Sequence, residues 1–140
     1  MAREEARNDE TARFADELVA SPSTPALSDE EAVAVATLPA NSALLIVHRG
    51  PGAGSRFLLD QDLTVAGRHP DADIFLDDVT VSRKHAEFVR STSGFSVRDL
   101  GSMNGIFVAG ERVDAADLAM GTEVLIGKFR LTFYPSEKGL

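Results

Sequence analysis

The chain has no cysteine, no tryptophan and a single tyrosine among 140 residues. Without cysteine there is no disulfide frame, no thiol nucleophile and no cysteine-based zinc site. That absence favours a reducing compartment. No apolar run approaches the roughly 18–20 residues that a membrane-spanning helix needs. The opening stretch, Met1–Glu10, is charged and mixed, unlike a secretion signal. Excess positive charge is also lacking: the net charge is −8. Residues 1–40 hold nine Asp/Glu against three Arg, and residues 41–140 hold thirteen against eleven Lys/Arg. Neither part carries the basic footprint of a nucleic-acid binder. A cytoplasmic monomer, bound neither to membrane nor to nucleic acid, is the expectation.

What is present divides near residue 41. Residues 1–41 are rich in Ala, Glu, Asp, Ser and Pro, and read as an acidic, largely disordered regulatory tail. Two pieces of it have helical marks. Phe14, Leu18 and Val19 share one face, and Ser28-Asp29-Glu30-Glu31 has capping-box spacing ahead of Ala32–Val35. Pro22, Pro25 and Pro39 bound both, so each would be marginal alone. From Ser42 to Pro135 short apolar segments alternate with turns, and residues 136–140 form a short exit. Ala43–Val47 reads as a buried strand. Phe129, Leu131 and Phe133 alternate with Lys128, Arg130 and Thr132, which predicts one face in the core and one in water. Ten or eleven such strands and no helix of ordinary length predict an all-β sandwich.

Several motifs carry less than they first suggest. Gly50–Gly54 lacks the Gly-Lys-Ser/Thr of a phosphate loop and precedes a strand, so it reads as a hairpin turn. Asp71, Asp73, Asp77 and Asp78 are interrupted by Ile74-Phe75-Leu76 and miss the calcium-loop pattern. His48, His69 and His85 have no metal-ligand spacing. Ser82 and His85 lack a nucleophile elbow and a third member, so a small hydrolase is a weak rival, and His85 reads as a ring that braces a loop.

The informative stretch is Gly67-Arg68-His69-Pro70, followed by Ser82-Arg83-Lys84-His85, and answered by Asp99-Leu100-Gly101-Ser102-Met103-Asn104-Gly105. Gly and Pro mark these as loops, where a rigid β scaffold carries its binding residues. A guanidinium, a hydroxyl, a second cation and a side-chain amide suit a phosphate on a peptide. Three motifs in this order and spacing resemble a forkhead-associated (FHA) domain over residues 43–134. The resemblance implies a β-sandwich that binds phosphothreonine peptides through loops at one end, with no catalysis and no cofactor. It assigns Arg68 and Ser82 to the phosphate, Arg83 to added charge or peptide selection, and Asn104, with Ser102 beside it, to the peptide. Gly67, His85 and Gly105 would shape the loops. Met103 and Ile106 stand where many members have threonine; loss of the first hydroxyl is expected either to weaken binding or to alter peptide preference, with the Arg68–Ser82 pair kept.

The whole chain is similar to the small actinobacterial regulators of the GarA/OdhI group, notably in Gly54–Asp60, Ala66–Arg83 and Ile126–Leu131. In that group a Ser/Thr protein kinase phosphorylates a tail threonine and the FHA face binds its own phosphorylated tail. The unphosphorylated form inhibits the E1 component of 2-oxoglutarate dehydrogenase. Some members also modulate glutamate dehydrogenase and glutamate synthase. Thr11 is the best tail candidate here, with acids before it and Phe14 at the third position after it, although the family tail has two adjacent threonines and this one a single Thr; Thr24 and Thr37 are the other candidates. The competing expectation is an FHA adaptor that recruits phosphothreonine partners in trans.

Overall fold

A computed structural model describes residues 27–138. Thr11, Thr24 and the Phe14–Leu18–Val19 face lie outside the described residues. Among the described residues one helix, α1 (Asp29–Ala36), precedes eleven strands: β1 (Ala43–Ile46), β2 (Arg56–Leu59), β3 (Leu63–Gly67), β4 (Ile74–Phe75), β5 (Ala86–Ser91), β6 (Gly94–Asp99), β7 (Ile106–Val108), β8 (Glu111–Val113), β9 (Ala115–Asp117), β10 (Glu123–Ile126) and β11 (Phe129–Pro135). They form a six-stranded sheet, β2-β1-β11-β10-β7-β8, and a five-stranded sheet, β4-β3-β5-β6-β9. The pairings are antiparallel except that of β3 with β4. This is the β-sandwich that the strand spacing predicts. Its core lies between the sheets and includes Leu45, Leu59, Ile74, Phe88, Val97, Ile106, Ile126, Leu131 and Phe133.

The turns fall where Gly marks them. Gly50–Gly54 joins β1 to β2, closed by the Gly54 N–H on the Val47 carbonyl at 2.8 Å. Ala109 and Gly110 both take positive φ, 52° and 87°, in the two-residue connection between β7 and β8. That is the twist a two-residue hairpin requires.

Two expectations change. The first concerns the outer face of the six-stranded sheet. Phe129, Leu131 and Phe133 are buried as the alternation predicts, but Thr132 and Tyr134 are buried too. The cause is α1, which was expected to be marginal as part of a solvated tail. Ser28 caps it in a reciprocal capping box with Glu31, and its Val35 and the following Leu38 pack against Leu44, Ile46 and Tyr134. A helix too short to persist alone is stabilised by a tertiary face. Burial of both sheet faces is why all of Ala43–Ile46 is buried. Polar contacts fasten both ends of this segment. Ser136 Oγ and Lys138 Nζ donate to the Leu38 carbonyl at 3.1 and 3.2 Å. His48 stands 2.7 Å from the Tyr134 hydroxyl and 3.9 Å from Glu31. Hydrogen bonds from Ser28, with His48 and Arg56 nearby, hold the Glu31 carboxyl below its ordinary value, while burial and the Glu31 charge push the Tyr134 phenol up to about 12. The second change is β9, Ala115–Asp117, an edge strand beside β6 that the sequence pattern does not announce.

The loop end of the sandwich is where β3, β6 and β10 finish and β5, β7 and β11 begin. Since β1 runs antiparallel to β11, it too points toward that end. Helix α1 runs the opposite way along β1: Glu31 lies near His48, beyond the end of β1, and Leu38 near Ser136, beyond the end of β11. The helix N-terminus therefore faces the loop end.

Candidate functional site

Three loops meet at that end: 68–73 after β3, 76–85 after β4 and 100–105 after β6. Their closeness begins at Gly67. A Cβ there would meet the backbone carbonyl of Arg83 and lie 3.1 Å from the Ser82 carbonyl oxygen, so only glycine lets the two segments touch. Across this contact the Arg68 N–H donates to the Ser82 carbonyl at 3.0 Å and the His69 N–H to that of Arg83 at 3.4 Å.

His85 is fully buried and joins the second and third loops. Its Nδ1 accepts from the Ser82 N–H at 3.0 Å. Its Nε2 therefore carries the proton and donates to the Gly105 carbonyl at 2.7 Å. Both ring nitrogens are engaged by backbone groups, so the ring ties the two loops together and has no nitrogen left for the Ser82 hydroxyl.

Ser82, Arg68 and Asn104 present complementary groups. Ser82 Oγ accepts from the Met103 N–H at 3.1 Å, which leaves its hydrogen free to donate. Arg68 Nε donates to the Val81 carbonyl at 3.0 Å, which fixes the guanidinium and leaves its terminal N–H groups open. Asn104 Nδ2 donates to the Thr80 carbonyl at 2.9 Å; this sets the amide's orientation, with its carbonyl oxygen left to accept. The corner thus offers several N–H groups and one O–H to an anion with several acceptor oxygens, and an amide oxygen to an N–H donor beside it.

Other expected residues stand differently. Ser102 does not present its hydroxyl to the corner. It donates to Asp99 Oδ1 and accepts from the Gly105 N–H at 2.9 Å, so it shapes the loop. Gly105 takes φ 75° there, a conformation that favours glycine. Arg83 joins the corner through its backbone carbonyl, which accepts from the His69 N–H. The residue also lines a neighbouring hollow of about 440 Å³ with Lys84, His69, Asp71 and Asp73. Asp73 and Asp78 have structural partners, Val65 N–H at 2.9 Å and Thr80. Bonding from Thr80 holds the Asp78 carboxyl below its ordinary value.

Thr80 is the residue that pattern reading missed. Its hydroxyl donates to Asp78 and accepts from the Lys128 N–H at 3.1 Å, and its carbonyl holds Asn104. It ties the β10–β11 turn to the 76–85 and 100–105 loops. The Asp-x-Thr spacing of Asp78 and Thr80, typical of a side-chain-closed turn, was its only sequence signal. Met103 and Val79 rim the corner, each 86% exposed.

The structure is thus a β-sandwich whose loops converge at one end with several groups able to donate to an anion. The FHA domain model matches residues 64–127. The chain is 51% identical over 134 residues to an oxoglutarate dehydrogenase inhibitor of Corynebacterium jeikeium, covering 96% of this chain and 93% of that one. It is 65% identical over 101 residues to the glycogen accumulation regulator GarA of Mycobacterium tuberculosis, covering 72% and 62%. The matched part thus spans 62% of the length of that relative. A solved structure from a study of phosphothreonine-dependent FHA domain interactions superposes with a TM-score of 0.61 at 29% identity, covering 66% of this chain and 94% of that one. The chain belongs to the FHA-domain family.

Proposed function

We propose that this protein is a non-catalytic regulator whose loop face reads phosphothreonine, and whose own Thr11 is the regulated ligand. A Ser/Thr protein kinase phosphorylates Thr11; the Arg68–Ser82–Asn104 face then takes up the phosphorylated segment. In the unphosphorylated form the face is open, and the protein binds and inhibits the E1 component of 2-oxoglutarate dehydrogenase. Glutamate dehydrogenase and glutamate synthase are further targets that the family resemblance suggests. The observation that carries the reading is the corner itself: a fixed guanidinium, a hydroxyl with its hydrogen free and an oriented amide, all within one hydrogen-bonded set of loops. A phosphate brings about −1.5 to −2 charges and three acceptors to such a corner. The name of the Corynebacterium jeikeium relative, similar along nearly its whole length, supports the inhibitor role.

The direction of α1 supports an intramolecular ligand. Only seventeen residue steps separate Thr11 from the N-cap Ser28, and α1 aims that N-cap at the loop end. Seventeen residues can span up to about 60 Å, against a gyration radius of about 13 Å for a domain of this size. Tethering supplies an effective concentration of about 1 mM, so a micromolar site would be closed by a factor of about 10³. Stoichiometric phosphorylation of Thr11 is expected to raise the concentration needed for half-inhibition of E1 by about 10²–10³-fold. Undiminished inhibition by the phosphorylated form would refute the switch.

A further inference from the structure

Arg112 lies on β8, the edge strand of the six-stranded sheet, and its side chain lies across Gly105. A Cβ on Gly105 would meet Arg112 Nε at 2.5 Å, Cζ at 2.8 Å and Nη2 at 3.0 Å. The bare glycine thus provides the seat on which the guanidinium rests. Arg112 is exposed, and the ion pairs among the described residues engage other cations: Arg56, Arg90, Arg98, Arg130, His48 and His69. Its neighbours along the loop are informative. Met103 donates its N–H to Ser82, the hydroxyl of the phosphate corner. Asn104 comes next, and then Gly105, on which Arg112 rests. A positive fork therefore lies one residue beyond the oriented amide, with no carboxylate paired to it among the described residues.

We propose that Arg112 is a specificity residue of the loop face, reading a carboxylate that flanks the phosphothreonine. The inference rests on the phosphopeptide reading above. A peptide in extended form advances about 3.3 Å per residue, so side chains within a few positions of the phosphothreonine sweep the rim of the corner. A planar guanidinium matches a carboxylate through paired N–H donors. The chain's own candidate ligand has such groups, Asp9 and Glu10 before Thr11 and Asp16 after it.

The test uses residues 7–16 as a labelled peptide phosphorylated on Thr11, and a twin with Asp9→Asn, Glu10→Gln and Asp16→Asn. Both are titrated by fluorescence anisotropy against the full, unphosphorylated chain as wild type, Arg112→Gln and Arg112→Lys. Arg112→Gln is expected to reduce the preference for the acidic peptide by about 3–5-fold, the scale of an exposed charge pair. Binding of the neutral twin should change by less than about twofold, and Arg112→Lys should restore part of the preference. Added salt should shrink the wild-type preference. An unchanged preference in Arg112→Gln, or an equal loss for both peptides, would overturn the assignment. If wild type bound neither peptide, the phosphopeptide reading itself would fail, and Arg112's role with it.

Discussion

Replacing Gly67 by alanine tests how the loop face is assembled. Gly67 does not have a positive φ, so the substitution brings no intrinsic backbone strain. Its effect is contact. The added Cβ would lie 2.8 Å from the carbonyl carbon of Arg83, closer still to its oxygen, and 3.1 Å from the Ser82 carbonyl oxygen. All are backbone atoms, so no side-chain rotation relieves the clash. Carbon atoms rest at about 3.5–4.0 Å, which requires the 82–83 segment to retreat by about 1 Å. The hydrogen bonds from Arg68 N–H to Ser82 and from His69 N–H to Arg83 cross the same gap and would go with it. Two backbone bonds at about 1 kcal/mol each, together with overpacking strain of about 1–3 kcal/mol, give a destabilisation of about 3–5 kcal/mol. The melting temperature should fall by at least about 12 °C. Phosphothreonine-peptide affinity should fall at least about tenfold, since Ser82 moves with the segment and a charge-assisted bond is worth about 1.5 kcal/mol. Urea denaturation and anisotropy titration on the same samples measure both. A variant within about 0.5 kcal/mol of wild type, with unchanged affinity, would refute the close-approach reasoning.

Three further outcomes are expected. With one tyrosine and no tryptophan, phenolate absorbance reports Tyr134 alone; it should titrate near 12, not near the usual value of about 10. Because the folded value is raised, the stability linked to it is complete below about pH 10 and is lost as pH rises toward the folded value; a midpoint near 10 in the native protein would show that α1 does not cover the ring. Val35→Asp would place a carboxylate among Leu44, Ile46 and Tyr134, so hydrogen exchange of the α1 amides should speed up about 10²-fold or more while the sandwich amides keep their protection. Ser102→Ala removes the Asp99 and Gly105 bonds and should cost about 1–2 kcal/mol in denaturation, with a loss of phosphopeptide affinity of only about threefold, because its hydroxyl does not face the ligand.

The strands were legible wherever chemistry repeats with period two, as in Phe129, Leu131 and Phe133, and the turns wherever glycine stands between strands. The candidate corner was legible because Arg68, Ser82 and Asn104 sit in recognisable frames beside Gly67, His85 and Gly105. Tyr134 and Ile46 were harder, since their burial depends on α1, whose docking is a tertiary effect that helix propensity does not contain. Ala115–Asp117 has no strand-forming residues, and only its pairing with β6 makes it a strand. Thr80 and Ser102 look alike in sequence, as hydroxyls near a binding loop. Their geometry separates them from Ser82: both hydroxyls donate to a neighbouring aspartate, while the hydrogen of Ser82 stays free.

The central claim is that phosphate on Thr11 closes the loop face of the same molecule. Amide NMR spectra of the full chain in dilute solution, before and after phosphorylation by a Ser/Thr kinase, test it in wild type and Arg68→Ala. The account predicts that phosphorylation of Thr11 shifts the signals of Arg68, Ser82, Met103, Asn104 and Gly105 independently of protein concentration, and that Arg68→Ala abolishes the shift. Phosphate on Thr11 with those signals unmoved, or shifts that appear only as concentration rises, would contradict it.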